Sequence, residues 1–173
     1  MPRPSREILT HMPRLRRYAI VLTRDEGMAE DLLQEAFLRA HERQASLDRK
    51  RPLLGWLLSI LHNAFIDGTR ARNARERREA DYAALLEPQA SGMQEEALRL
   101  SQLRSAFFRL PDDQREALHL IAVEELSYVE AAALLHVPQG TLMARVSRAR
   151  ATLRAFEAGE KTNLRLIGGK DAG

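Results

Sequence analysis

LSYVEAAALLHVPQGTLMARVSRARATL, running from Leu126 to Leu153, reads as two short helices joined by a tight turn, the second densely basic. Ser127 is placed to cap the first helix, and Glu130, three residues on, is placed to reach back to the free backbone amide. This is a capping box ahead of the apolar run Ala131, Ala132, Leu134 and Leu135. The stop follows at His136, Val137, Pro138, Gln139 and Gly140, where proline disfavours helical geometry in the residue before it and glycine tolerates a sharp turn. Thr141 is then the expected cap of the second helix. There Leu142, Val146, Ala149 and Leu153 recur at steps of four, three and four and share one face, against the preceding helix. Arg145, Ser147, Arg148 and Thr152 fall elsewhere. From Ala131 to Phe156 there are four arginines and no acidic residue, a one-signed positive field suited to phosphate oxygens and guanine edges. The pattern points to a DNA-binding helix-turn-helix, against the plainer alternative of a helical hairpin with a solvated basic face.

Composition bounds the rest. At 173 residues and 45% hydrophobic, the chain has room for one or two small domains, each with a core of its own, and is not a disordered protein. A net charge of only +3 means that affinity for nucleic acid has to come from local clusters. The absence of cysteine excludes disulfides and cysteine-ligated zinc or iron-sulfur sites and makes a reducing cytoplasm the expected location. The first residues show no uninterrupted apolar core before a small-residue cleavage site, and nowhere do eighteen apolar residues run together, so no membrane insertion is expected.

Along its length the chain is helical in pattern, with few alternating or beta-branched runs, and an all-α fold is predicted. A first helix from about Ser5 to Leu22 aligns Ile8, Leu9, Met12, Leu15, Ala19 and Leu22, and Thr23 with Glu26 offers a capping box for the next. That second helix, roughly Gly27 to Arg43, buries Leu32, Leu33, Ala36, Phe37 and Ala40. Its opposite face shows Glu30, Asp31, Gln34 and Glu35 near the helix N-terminus, where carboxylates are favoured and ordinary capping is a sufficient account. After a polar loop, Gln44 to Arg51, Pro52 opens a third helix to about Arg72, with Trp56, Ser59, His62, Asn63, Asp67 and Arg70 around its apolar face. Its end is basic: Arg70, Arg72, Arg75, Arg77 and Arg78 fall within nine residues, a DNA-facing cluster or a solvated helix terminus. The best break in the chain is Pro88 to Gly92, which places a flexible linker at 81–95 between two small helical domains, 1–80 and 96–156, with a mobile tail at 157–173.

The order of these segments resembles an extracytoplasmic-function (ECF) RNA polymerase sigma factor. LRRYAIVLTRDEGMAEDLLQEAFLRAHE and GWLLSILHNAFIDGTRAR resemble that family's region 2, and LPDDQREALHLIAVEELSYVEAAALLHVPQGTLMARVSRARATL resembles its region 4. The match runs from about Met12 to Leu153. The resemblance implies that Glu30, Asp31, Gln34 and Glu35 dock on the coiled coil of the largest core RNA polymerase subunit. It implies that the third helix meets the promoter's minus-ten element, with Asn63 helping to hold an extruded base and Arg70, Arg72 and Arg75 on the backbone. Trp56 is expected to pack, not to stack on DNA.

The helix from Thr141 to Leu153 is implied to enter the major groove at the minus-thirty-five element, where Arg145 and Arg148, with Ser147 beside them, are candidates for base-edge or phosphate contacts. Family members usually read GTVKSR where this chain reads GTLMAR, so Met143 and Ala144 replace a basic and a hydroxyl residue, and His136 replaces a frequent glycine. An apolar pair there can read thymine methyls, so altered promoter specificity is expected, with a weakened DNA reader as the alternative.

Catalysis has no support. The five histidines lack metal-ligand spacing, there is no glycine-rich phosphate loop, and no serine or histidine sits in a nucleophile motif, so no enzyme, cofactor or metal is expected. The expected function is promoter-specific transcription initiation in a stress response, with core polymerase, promoter DNA and an anti-sigma factor as partners. The alternative is a sigma-like mimic, an anti-anti-sigma protein that titrates an anti-sigma factor without initiating. A dimeric helix-turn-helix repressor leaves the acidic second helix and the linker unexplained.

Overall fold

The computed structural model describes residues 4–47, 52–76 and 95–167, and among them the only regular elements are helices. They are α1 (Pro4–Thr23), α2 (Glu26–Glu42), a 3-10 turn (Gln44–Ser46), α3 (Leu53–Glu76), α4 (Glu95–Phe108), α5 (Asp112–Ala122), α6 (Tyr128–Leu134) and α7 (Gln139–Ile167). Pro88 to Gly92, the centre of the expected linker, lies outside the described residues.

Helices α1, α2 and α3 pack on one another as the first unit. Leu15, Ala19, Leu22, Leu33, Ala36, Leu58 and Leu61 are buried between them, while Leu9, placed on the same stripe of α1 by periodicity, is 62% exposed. In the second unit α7 packs against α4, α5 and α6 through Leu142, Val146 and Ala149, the face expected from their spacing.

Local chemistry sets the helix ends. The capping box of α6 is present: the Ser127 amide donates to Glu130 Oε2 at 2.8 Å, and the Glu130 amide to Ser127 Oγ at 3.2 Å. We expect Ser127→Ala to destabilise the second unit by about 1 kcal/mol, read by urea unfolding; an unchanged midpoint would deny the cap any energetic weight. Two other caps differ from expectation. Asp25, not Thr23, caps α2, accepting from the Met28 amide at 2.7 Å, while the Thr23 hydroxyl turns back to the Ala19 carbonyl. Thr141 does not cap α7, because the helix already begins at Gln139 and the Pro138 carbonyl accepts from the Leu142 amide at 3.1 Å. Proline's fixed φ suits helical entry, which brings the start forward.

The turn itself is corrected too. Gly140 sits within α7 with ordinary backbone geometry, and the residue that turns the chain is His136, at φ 55°. The His136 amide donates to the Ala133 carbonyl at 3.3 Å and the Val137 amide to the Ala132 carbonyl at 3.1 Å, the paired closure of a left-handed helix end. Glycine is usual there, and a residue with a Cβ gives up about 1–2 kcal/mol. Two boundaries extend: α3 continues to Glu76, and α7 runs to Ile167, so the tail expected to be mobile from Glu157 is helical to that point. Glu160, Lys161, Leu164 and Arg165 are all good helix formers, enough to carry the helix past Gly159.

The two units do not keep separate cores. Buried residues of α1, α2 and α3 join those of α5, α6 and α7 in one apolar cluster, with α1 packed on α5 and α3 on α6. Polar groups line this seam. The Arg115 side chain is 1% exposed; its Nε donates to the Val21 carbonyl at 2.9 Å and its terminal nitrogen to the Leu110 carbonyl at 3.1 Å. Arg14 donates to Glu124 Oε2 at 2.6 Å and to the Glu124 carbonyl at 2.7 Å. Arg24 reaches Asp112 at 2.6 Å, but that carboxylate is exposed and the pair contributes little.

Candidate nucleic-acid interface

Glu30, Asp31, Gln34 and Glu35 form two adjacent rows four residues apart, and all four side chains are exposed on one face of α2. Arg16 pairs with Glu30 at 2.8 Å and Arg39 with Glu35 at 2.8 Å. Arg39 also reaches Asp67 of α3 at 2.6 Å, and this hydrogen bond holds the Asp67 carboxyl below its ordinary value while raising the guanidinium. The acidic face is thereby tied to the helix that carries Asn63.

On α3, Arg70 is exposed, whereas the side chains of Arg72 and Arg75 lie outside the described residues. Trp56 packs against the core. Asn63 is half-buried, and its Oδ1 accepts a hydrogen bond at 3.0 Å from Nε2 of His136, in the turn before α7. Its neighbour His62 is buried, and the Tyr18 hydroxyl lies 3.3 Å from His62 Nδ1. Burial, and then the nearby His136, pull the His62 imidazole down to about 4, so at neutral pH it accepts from Tyr18. Burial also pushes the Tyr18 phenol well above its ordinary value, helped by Glu116 and Glu124, which keeps the hydroxyl a donor. Tyr18 stacks on His119 with ring centroids 5.6 Å apart, and His119 Nε2 lies 3.1 Å from Glu124 Oε1.

On α7, Thr141, Met143, Ala144, Ser147 and Arg148 are exposed, opposite the buried Leu142, Val146 and Ala149. Arg145 differs: it is half-buried and paired with Asp113 of α5 at 3.2 Å. Arg148 Nε donates to the Ala144 carbonyl at 3.2 Å along the helix wall. Among the described residues no cluster of three histidine or acidic side chains is arranged to hold a metal ion.

The sequence reading passed over the seam residues Tyr18, Arg115, His119 and Glu124. The available signal was Arg115 and His119, four apart and flanking Leu118 on an otherwise apolar stripe.

Residues 8–75 match the family model for Sigma-70 region 2, and residues 100–153 match that for Sigma-70 region 4. The ECF RNA polymerase sigma factor EcfG of Rhodopseudomonas palustris is 40% identical over 152 residues, covering 87% of this chain and 82% of that one. The chain belongs to the ECF RNA polymerase sigma factors. SigM of Bacillus subtilis, another ECF sigma factor, is 31% identical, covering 81% of this chain and 86% of its own. The sigma factor RpoE of Bartonella quintana, solved in complex with the anti-sigma factor NepR, matches this ECF sigma factor with a TM-score of 0.74 and 32% identity. That match covers 89% of this chain and 96% of the solved one, so it spans both units. The family is regulatory and not catalytic in type. No described helix of this sigma factor is long and apolar enough to cross a membrane.

Proposed function

We propose that this sigma factor binds core RNA polymerase in the cytoplasm and directs it to a two-part promoter, in a stress response, under the restraint of an anti-sigma factor. The chain itself catalyses nothing, and the polymerase supplies the chemistry. Residues 1–80 dock on polymerase through Glu30, Asp31, Gln34 and Glu35 and read the minus-ten element with Asn63, Arg70, Arg72 and Arg75. Residues 96–156 read the minus-thirty-five element with Thr141, Met143, Ala144, Arg145, Ser147 and Arg148. The observation that carries this reading is the pairing, in one chain, of an exposed acidic face on α2 with an exposed face on α7 that has no acidic side chain through Phe156. Two opposed electrostatic surfaces suit one protein partner and one polyanion. The anti-sigma factor is inferred from the similar RpoE chain, whose solved partner is one.

Reconstituted transcription with core enzyme across genomic fragments tests the reading. Promoter-dependent initiation is the expected result; none at all, with tight binding to an anti-sigma factor, would replace it with the mimic. We expect Arg148→Ala to weaken promoter binding by about 1–3 kcal/mol, concentrated on one base pair, if the guanidinium swings off the Ala144 carbonyl onto a guanine. Equal loss on every sequence would assign it to a phosphate. Because Asp113 already neutralises part of its charge, Arg145→Ala is expected to cost less than Arg148→Ala in the same assay.

A further inference from the structure

His136 stands where the backbone disfavours it. At φ 55° it closes α6 in a left-handed conformation that glycine adopts without strain, yet the side chain present is a flat heteroaromatic ring with in-plane hydrogen-bonding nitrogens. That ring reaches out of the second unit to the first, donating from Nε2 to Asn63 Oδ1 at 3.0 Å. Strain at one residue persists where the surroundings hold it, and here a specific contact accompanies it. The same turn lies over His62, with ring centroids 6.4 Å apart, and α6 packs on α3 beneath it. The contact occupies one acceptor site of the amide oxygen that a base edge would use.

We propose that His136 is an intramolecular stand-in for a nucleobase: it occupies Asn63, clasps the helix-turn-helix to α3, and masks the minus-ten contact until the second unit is displaced. The clasp rests on the reading of Asn63 given under Proposed function only for what it masks. The contact itself is independent of that role. A planar ring bearing an N–H donor presents Asn63 with the same edge chemistry as an extruded base, so imidazole and base compete for one oxygen. Polymerase or DNA that draws the second unit away pays for the lost contact and frees Asn63 in the same movement.

The protein has no cysteine, so exposed Leu38 on α2 and Arg150 on α7 can be replaced by cysteine for a dye pair that reports the distance between units in the full chain. The His136→Gly variant removes the ring while supplying the residue that a left-handed position prefers. The helix-turn-helix is therefore expected to keep or gain thermal stability, and misfolding cannot mimic opening. Its fraction of widely separated molecules is expected to rise about tenfold, as one hydrogen bond and its packing are lost. An unchanged distance distribution would overturn the clasp. Asn63→Ala should open the chain similarly. Single-stranded homopolymers of each of the four bases, titrated against the dye-free proteins, then separate the two ideas. The His136→Gly variant should bind at least one homopolymer about tenfold more tightly, and Asn63→Ala, though equally open, none. Opening in both variants without tighter binding in the first would leave the clasp standing and overturn the base-holding role of Asn63. Tighter binding without opening would overturn the clasp.

Discussion

Glu124→Ala should lower the stability of the whole molecule by about 3–5 kcal/mol, the range for removing one partner of a buried ion pair. The Glu124 carboxylate has no exposed surface; it accepts from Arg14 at 2.6 Å and faces His119 Nε2 at 3.1 Å, with Arg17 at 3.9 Å. Burial pushes this carboxyl up, but the His119 and Arg14 hydrogen bonds outweigh burial and leave it below its ordinary value. Alanine would strand His119, itself only 3% exposed, and leave Arg14 joined to the second unit by the Glu124 backbone carbonyl alone. The loss should therefore appear as weakened docking of α1 on α5, not only as local damage after α5. Urea unfolding of Glu124→Ala, Arg14→Ala and the double variant checks this as a cycle. Additive effects would mean that Arg14 and Glu124 are not coupled across the seam. A loss below about 1 kcal/mol would place the pair among weak surface bridges. The sign with pH is fixed by the lowered carboxyl: its contribution is present above the ordinary carboxylate range and is lost as pH falls through the folded value.

What could be read in the sequence was local. The α6 capping box is legible because Ser127 and Glu130 are three residues apart and satisfy each other, and the buried stripe of α7 because Leu142, Val146 and Ala149 follow the helical repeat. The exposure of Glu30, Asp31, Gln34 and Glu35 follows from the same repeat. The seam could not be read, because its bonds join distant residues: Arg14 and Glu124 are 110 apart, Asn63 and His136 are 73 apart. Nothing in 3.6-residue periodicity says which two helical faces will meet, only that a face must be covered. Arg115 illustrates the gap. In the sequence it is one basic residue at the start of an amphipathic helix; in the fold its guanidinium is buried against backbone carbonyls of Val21 and Leu110, and burial pulls it below its ordinary value. Turn chemistry misled for a related reason. Gly140 advertised conformational freedom that the chain does not use, whereas His136 took the left-handed position and used its ring elsewhere. The paired Arg145 likewise depends on Asp113 of α5, a contact that the basic run of α7 does not encode.

His62 should make an acid-destabilising contribution in a window set by its own imidazole. Its imidazole faces the Tyr18 hydroxyl of α1 on one side and His136 of the α6–α7 turn on the other, and burial, then His136, pull it from 6.5 to about 4. The unfolded chain therefore binds this proton more tightly than the folded one, so this group's contribution to stability rises with pH across the interval and is lost as pH drops below about 6.5. The His62 share of the loss should reach about 2 kcal/mol at pH 5 and about 3 kcal/mol at pH 4, and it levels off only below that. Glu116, which burial pushes up to about 7, titrates in the same interval with the opposite sign, because its folded form holds a proton that the unfolded chain releases, so the His62 share is read against a variant that lacks it. Urea midpoints at half-unit steps of pH measure it, with His62→Gln as the comparison, since glutamine keeps a polar side chain beside Tyr18 but cannot titrate. Between pH 6.5 and 5 the protein should lose about 1.5 kcal/mol of stability relative to the variant. If the protein and His62→Gln keep the same pH dependence, the proton is being taken up by another group, and the buried imidazole between Tyr18 and His136 is not an acid-sensitive element of the seam.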